Sequence, residues 1–337
     1  MQLALPAWFE IGSFIVLLLI LAFDLALVFR RPHIPGPRES ALWVSFYVTL
    51  ALLFALLMLW IGDAEHAGQF LAGWLTEYSL SIDNLFVFVL IMSRFAVPRK
   101  YQQEVLMVGI IVALVLRGVF IVLGAQLIAN FSWIFYVFGA FLLYTAIHQA
   151  LRNPEAETEE ASSVVRFLRK RLKVSKQYDG FKLRTLVDGN RMFTPLLIVF
   201  VALGTTDLLF ALDSIPAIFG ITQSPFIVFA ANVFALMGLR QLYFLLGHLL
   251  DKLEYLKYGI AFILAFIGVK LVFHAMHVNE LPFINGGRSI EWAPDIDTWT
   301  SLVVIIASMA IATMASLVNL KLDGTSVATT TEKDAGQ

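Results

Sequence analysis

Nine stretches of about twenty residues run through this chain with scarcely a charge in them, each long enough to cross a bilayer as a helix. They lie near 8–29, 41–61, 70–92, 104–124, 131–150, 193–220, 225–247, 256–276 and 299–320. A water-facing domain could not hide so much apolar surface. Of 337 residues, 59% are hydrophobic and 15% charged, against roughly a quarter charged in soluble domains. The expected fold is therefore an all-α polytopic membrane protein. The first apolar run is long enough to span and has no basic flank before it, so no cleavable leader is expected.

Lysine and arginine set the orientation. The odd-numbered connections, such as "RRPHIPGPRES", "SRFAVPRKYQQE" and "DKLEYLK", are basic, whereas the even ones together hold only Arg288. That pattern predicts an outer N-terminus and an inner C-terminus. The long fifth connection runs acidic ("NPEAETEE") and then basic ("RFLRKRLKVSK"), and the end from 321 to 337 is polar enough to be disordered. No cysteine is present, which excludes disulfides, thiolate metal sites and thiol catalysis. The net charge of −1 gives no reason to expect a nucleic-acid partner, and no phosphate-cradling G-x-x-x-x-G-K-[ST] run appears. An enzyme is not expected.

The chain also repeats itself. "EYSLSIDNLFVF" and "DLLFALDSIPAI" each carry two acids six residues apart, Glu77 with Asp83 and Asp207 with Asp213. Next, "VLRGVFIVLGAQL" resembles "GLRQLYFLLGHLL", matching Arg117 with Arg240. Each copy holds three spans, and an odd number inverts the second copy relative to the first. The organisation read from this is two N-terminal helices (1–69), a first three-helix repeat (70–150), an inner loop (151–192), an inverted repeat (193–276), an outer loop with the last helix (277–320), and a tail (321–337). Inverted repeats with polar helices near the midplane point to a secondary transporter.

Away from the first residues of each span, eight charged residues fall inside the spans: Asp24, Glu77, Asp83, Asp207 and Asp213, opposed by Arg117, Arg240 and Lys270. At about 3 kcal/mol each, they would cost on the order of 20 kcal/mol if left facing lipid. Locking the bundle by mutual pairing is one solution. Five negatives against three positives, however, leave two negatives, the charge a divalent cation would neutralise. Residues six apart on a straight helix point about 120° away from coincidence, so each acidic pair needs an unwound helix or an ion between helices. Pro216 and Gly204 mark where the second copy would break, with Thr206 and Ser214 offering oxygens nearby; Asn84 and Ser81 share the Glu77 face. Such oxygen donors suit manganese, magnesium or calcium. His148, His248, His274 and His277 fall at span ends, where a polar residue at the interface is the plain explanation.

The "DSIPAIF" run, with "EYSLSIDNLFVF", "LRQLYFLLGHL" and "LKYGIAFILAFIGVKLVFH", resembles the TerC family over about residues 8 to 320. These bacterial membrane proteins are named for an association with tellurium resistance. The resemblance implies a link to manganese homeostasis and an exporter's activity, with calcium or alkaline-pH responses in some members. It carries Asp24, Glu77, Asp83, Asp207 and Asp213 over as motif acids, with Asn84 beside Asp83. One position departs: Gly204 stands where many relatives have glutamate. The expected scheme places Asp83 and Asp213 as central ligands, with Glu77, Asp207, Asn84 and Ser214 completing the site. Asp24 is a further ligand, and Arg117, Arg240 and Lys270 hold the carboxylates when the ion leaves. No resident cofactor is expected. The alternative is a membrane subunit of a metal or tellurite stress complex that acts through partners on its long inner loop.

Overall fold

In the computed structural model the described residues are 5–30, 35–151, 171–172, 174–175, 177–187, 190–246 and 255–334. The acidic half of the long loop, most of its basic half, and His248 lie outside them. Ten helices appear among these residues: α1 Ala7–Arg30, α2 Pro37–Ile61, α3 Ala64–Arg94, α4 Arg99–Asn130, α5 Ile134–Leu151, α6 Pro195–Phe219, α7 Pro225–Leu236, α8 Leu239–Leu246, α9 Leu256–His277 and α10 Thr298–Asp334. With α7 and α8 counted as one crossing, they supply nine segments long and apolar enough to span. Proline at the first turn of α2, α6 and α7 starts these helices where its missing N–H is harmless. Asp63 caps α3 by accepting from the His66 backbone N–H at 2.9 Å.

The packing partners exchange as an internal two-fold would have them. Helix α3 meets α6, α4 meets α7 and α5 meets α9; α3 packs on α7 as α4 packs on α6, and α3 on α9 as α5 on α6. The α5–α9 crossing is the most intimate. A side-chain carbon added at Gly139 would lie 2.8 Å from the Gly268 carbonyl, and one at Gly268 would lie 3.0 Å from the Gly139 carbonyl. Glycines facing each other let two backbones approach this closely in a membrane, where dispersion rather than water drives packing. A phenylalanine cluster ties α1, α2, α3 and α7 together: Phe54 lies 6.1 Å from Phe9, 4.9 Å from Phe70 and 5.1 Å from Phe234, ring centre to ring centre. The outer faces of α2 and α4 leave Leu53, Leu56, Val115 and Val122 exposed, as lipid contact requires. Five of the seven tryptophans, Trp8, Trp60, Trp133, Trp292 and Trp299, are exposed at one end of the bundle, in the manner of an interfacial belt.

Two expectations change, and the loop adds a feature of its own. Helix α6 runs unbroken through Gly204 and Pro216 to Phe219. Pro216 stands in the last turn, where its fixed φ is helical and it forfeits a single N–H bond. The interruption lies instead between α7 and α8, where Met237 is extended and Gly238 takes φ +82°. The polar tail does not leave the helix at 321: α10 continues to Asp334, since no proline stops it and each added residue gains one backbone bond. The long loop, finally, contains an antiparallel hairpin, β1 Arg184–Val187 with β2 Asn190–Phe193, pairing Arg184 with Phe193. Tyr178 ties this loop to the α3–α4 turn by donating to the Phe95 carbonyl at 2.7 Å.

Candidate functional site: a charged centre in the apolar bundle

Glu77 follows from the buried stripe of α3, which also presents Thr76, Ser81 and Asn84 to the interior. It is fully buried and ion-paired through Oε2 with Arg117 Nη1 from α4, itself 1% exposed. The same nitrogen donates to Asn232 Oδ1 of α7 at 2.7 Å, and Asn232 Nδ2 donates to the Val228 carbonyl at 3.0 Å. Asp207, the central residue of α6, is buried within Coulombic reach of both Arg117 and Glu77. Two carboxylates against one guanidinium leave this centre one negative charge in excess when all are ionised.

Buried polar atoms nearly always have partners, and exceptions mark places where something else is bound or moves. Here Glu77 Oε1, Ser81 Oγ, Asp207 Oδ2 and Ser214 Oγ are buried oxygens without hydrogen-bond partners among the described residues. All four are hard donors of the kind magnesium, calcium and manganese accept. Asp213 is partly exposed, six residues beyond Asp207 on the same unbroken helix, and so does not share its face. The Asp83 side chain lies outside the described residues, although its backbone belongs to α3. Among the described residues no three histidine, aspartate or glutamate side chains converge tightly enough to hold a metal ion.

The remaining intramembrane charges sit elsewhere. Asp24 of α1 accepts from Tyr47 of α2 at 2.8 Å and from Arg240 of α8 at 3.1 Å, all on Oδ1. Arg240 thus reaches Asp24 of α1, outside the two repeats. Lys270 was expected beside the intramembrane acids. It instead donates to Ser301 at 2.9 Å and lines a polar cavity near the tryptophan-rich end, because the outer loop folds back over the last turns of α9. Sequence reasoning missed Asn232, a lone amide in "PFIVFAANVFAL" whose only signal was its isolation, and it missed that cavity altogether.

Apolar helices around a buried charged centre define a polytopic α-helical membrane protein with a candidate intramembrane site. The chain belongs to the integral membrane protein TerC family, whose profile matches residues 62–323; α1 and α2 precede the match. An uncharacterized membrane protein of Mycobacterium tuberculosis is 47% identical over 301 residues, covering 88% of this chain and 76% of its own. The Escherichia coli K12 protein Alx, whose name describes a membrane-bound redox modulator, is 40% identical over 271 residues, 77% of this chain and 84% of its own. A Myxococcus xanthus membrane protein is 39% identical over 260 residues, 77% and 82% of the two chains. No solved structure matches this chain.

Proposed function

We propose that this protein is a secondary transporter that exports a divalent cation, manganese above calcium or magnesium, from the cytoplasm of a bacterium. The observation that carries this reading is the buried Glu77–Arg117–Asp207 centre, two carboxylates to one guanidinium, with Glu77 Oε1 and Asp207 Oδ2 partnerless among the described residues and the partnerless Ser81 and Ser214 hydroxyls on the same two helices. The preference for manganese comes from the family resemblance; the oxygens support only the hard-cation class. Asp207 and Glu77 bind the ion, Asp83 extends its path toward the inner face and Asp213 toward the outer one, and Arg117 replaces it as counter-charge when it departs. Proton antiport supplies the drive, since clustered carboxylates exchange a cation for protons without stranding charge. The N-terminus lies outside and the C-terminus inside the cytoplasmic membrane.

The redox wording in one relative's name gives a second reading. These 337 residues hold no cysteine, so a redox effect of this chain would pass through the ion it moves and not through thiol exchange. The test is manganese content in manganese-loaded cells lacking their own exporters, comparing wild type with Asp207→Asn at equal membrane level. Wild type lowering cell manganese while Asp207→Asn does not supports export. Equal manganese in wild type, variant and empty control overturns it, and a partner-mediated role on the 155–176 loop then becomes the reading to pursue.

A further inference from the structure

A cavity of about 560 Å3 opens at the tryptophan-rich end of the bundle, lined among others by Glu65, Gln69, Thr222, Lys270, Asp295 and Asp297. Three carboxylates outnumber its one ammonium, yet they do not gather. Glu65 is engaged by Gln69 at 3.1 Å and by the Thr298 hydroxyl, while Lys270 is fixed on Ser301. No three acidic or histidine side chains here form a chelate. A polar chamber that attracts cations but offers them no tight site suits release better than capture.

Its floor lies directly above the charged centre. Gln69, Gly73 and Glu77 follow one another at single turns along α3, so the cavity and the Glu77 carboxylate are about 11–12 Å apart along the axis. One apolar layer separates them. A side-chain carbon at Gly73 would meet Ile218 Cδ1 at 3.3 Å and Ala231 Cβ at 3.5 Å, and both Ile218 and Ala231 are fully buried. Ala231 immediately precedes Asn232, the amide held by Arg117. Above the layer, the Thr222 hydroxyl donates to Gln69 Oε1 at 2.6 Å, fastening the α6–α7 turn onto α3.

Resting on the export reading, we propose that this cavity is the outer mouth of the transport route and that the Gly73–Ile218–Ala231 layer is its gate, closed in this structure. The departing ligand is a hydrated divalent cation. Lys270 assists by repelling the ion from the mouth toward bulk water. Opening requires the end of α6, with Ile218 and the Thr222–Gln69 fastening, to leave α3.

These 337 residues hold no cysteine, so single substitutions report without background. Gln223→Cys, on the exposed rim, and Ala231→Cys, in the gate, are labelled in intact cells with a membrane-impermeant maleimide, with and without manganese loading. An open state populated at a tenth or less gives Ala231→Cys labelling at least about tenfold slower than Gln223→Cys at rest, accelerating on manganese loading. Adding Ile218→Ala removes the layer's bulk and speeds Ala231→Cys labelling without any metal. Gln223→Cys that reacts only with reagent on the cytoplasmic side overturns the mouth. Ala231→Cys that labels at the rim rate at rest, or stays shielded while manganese leaves the cell, overturns the gate. Wild type that exports no divalent cation sinks the export reading by itself; the gate then stands or falls on the resting shielding and on Ile218→Ala.

Discussion

Arg117 carries five N–H donors, and Nη1 serves both Glu77 and Asn232 while Nε and Nη2 have no hydrogen-bond partner among the described residues. Removing one member of a buried pair strands the other, at about 3–5 kcal/mol, whereas removing both is often near neutral. Glu77→Gln and Arg117→Gln should each lower the melting temperature in detergent, and the double variant should recover most of the loss. Recovery that fails would mean Arg117 mainly holds Asp207. At the α3 cap, partial burial pushes the Asp63 carboxyl up, but the backbone N–H and ring of His66 outweigh it and hold it below its ordinary 3.8. A depressed pKa gives stability that is present above the unfolded value and fades as pH falls through the folded one. Asp63→Ala should therefore lose about 1 kcal/mol at neutral pH, the usual value of a cap, with the difference from wild type shrinking as pH falls through the lowered carboxyl pKa; denaturation across pH checks it. Both Glu77 and Arg117 stand out in the sequence as charges in apolar runs. Their pairing across 40 positions does not, because span order fixes which helices exist and not which faces meet.

At the scale of elements, the period and length of apolar runs give the nine crossings almost to their ends, since the bilayer allows no other use for them. Irregularities are harder to read. Pro216 looked like a break and is helical, while Gly238 was aligned only as a neighbour of Arg240 and proves to be the interruption. A proline in the last turn loses little, whereas a left-handed residue stops a helix wherever it falls. Gly238→Ala, strained at φ +82° and pressed 3.1 Å from the Tyr47 ring, should destabilise by about 1–2 kcal/mol. Pro216→Ala should leave the melting temperature close to wild type or above it. At the α5–α9 crossing, Gly268→Val meets the Gly139 carbonyl and must force the helices apart. It should reduce the folded fraction recovered from membranes far more than Gly118→Val, whose added carbon meets nothing within 4 Å; size-exclusion profiles of the two variants decide.

For the whole molecule, lysine and arginine in the connections argue for the orientation proposed above, whereas tryptophan marks an interface without saying which side it faces. Reporter fusions should be active outside when placed after Ile284 and inside when placed after Asp334; the reverse result would invert the export direction argued above. The outer cavity could not be read from sequence, because it is assembled from the starts of α3 and α10, the α6–α7 turn and the last turns of α9, which spacing alone does not bring together. The phenylalanine cluster has a mechanical consequence. Phe9, Phe54, Phe70 and Phe234 weld α1, α2, α3 and the outer half of the seventh crossing into one stiff block, a stator. Two walls of the proposed gate, Gly73 and Ala231, ride on helices of that block; the third, Ile218, packs into the same core but rides on α6, which contributes none of the four phenylalanines. On the route proposed above, α6 is then the helix that swings, carrying Asp207 with it, so the proposed cation ligand and the proposed bar to its exit ride on the same lever.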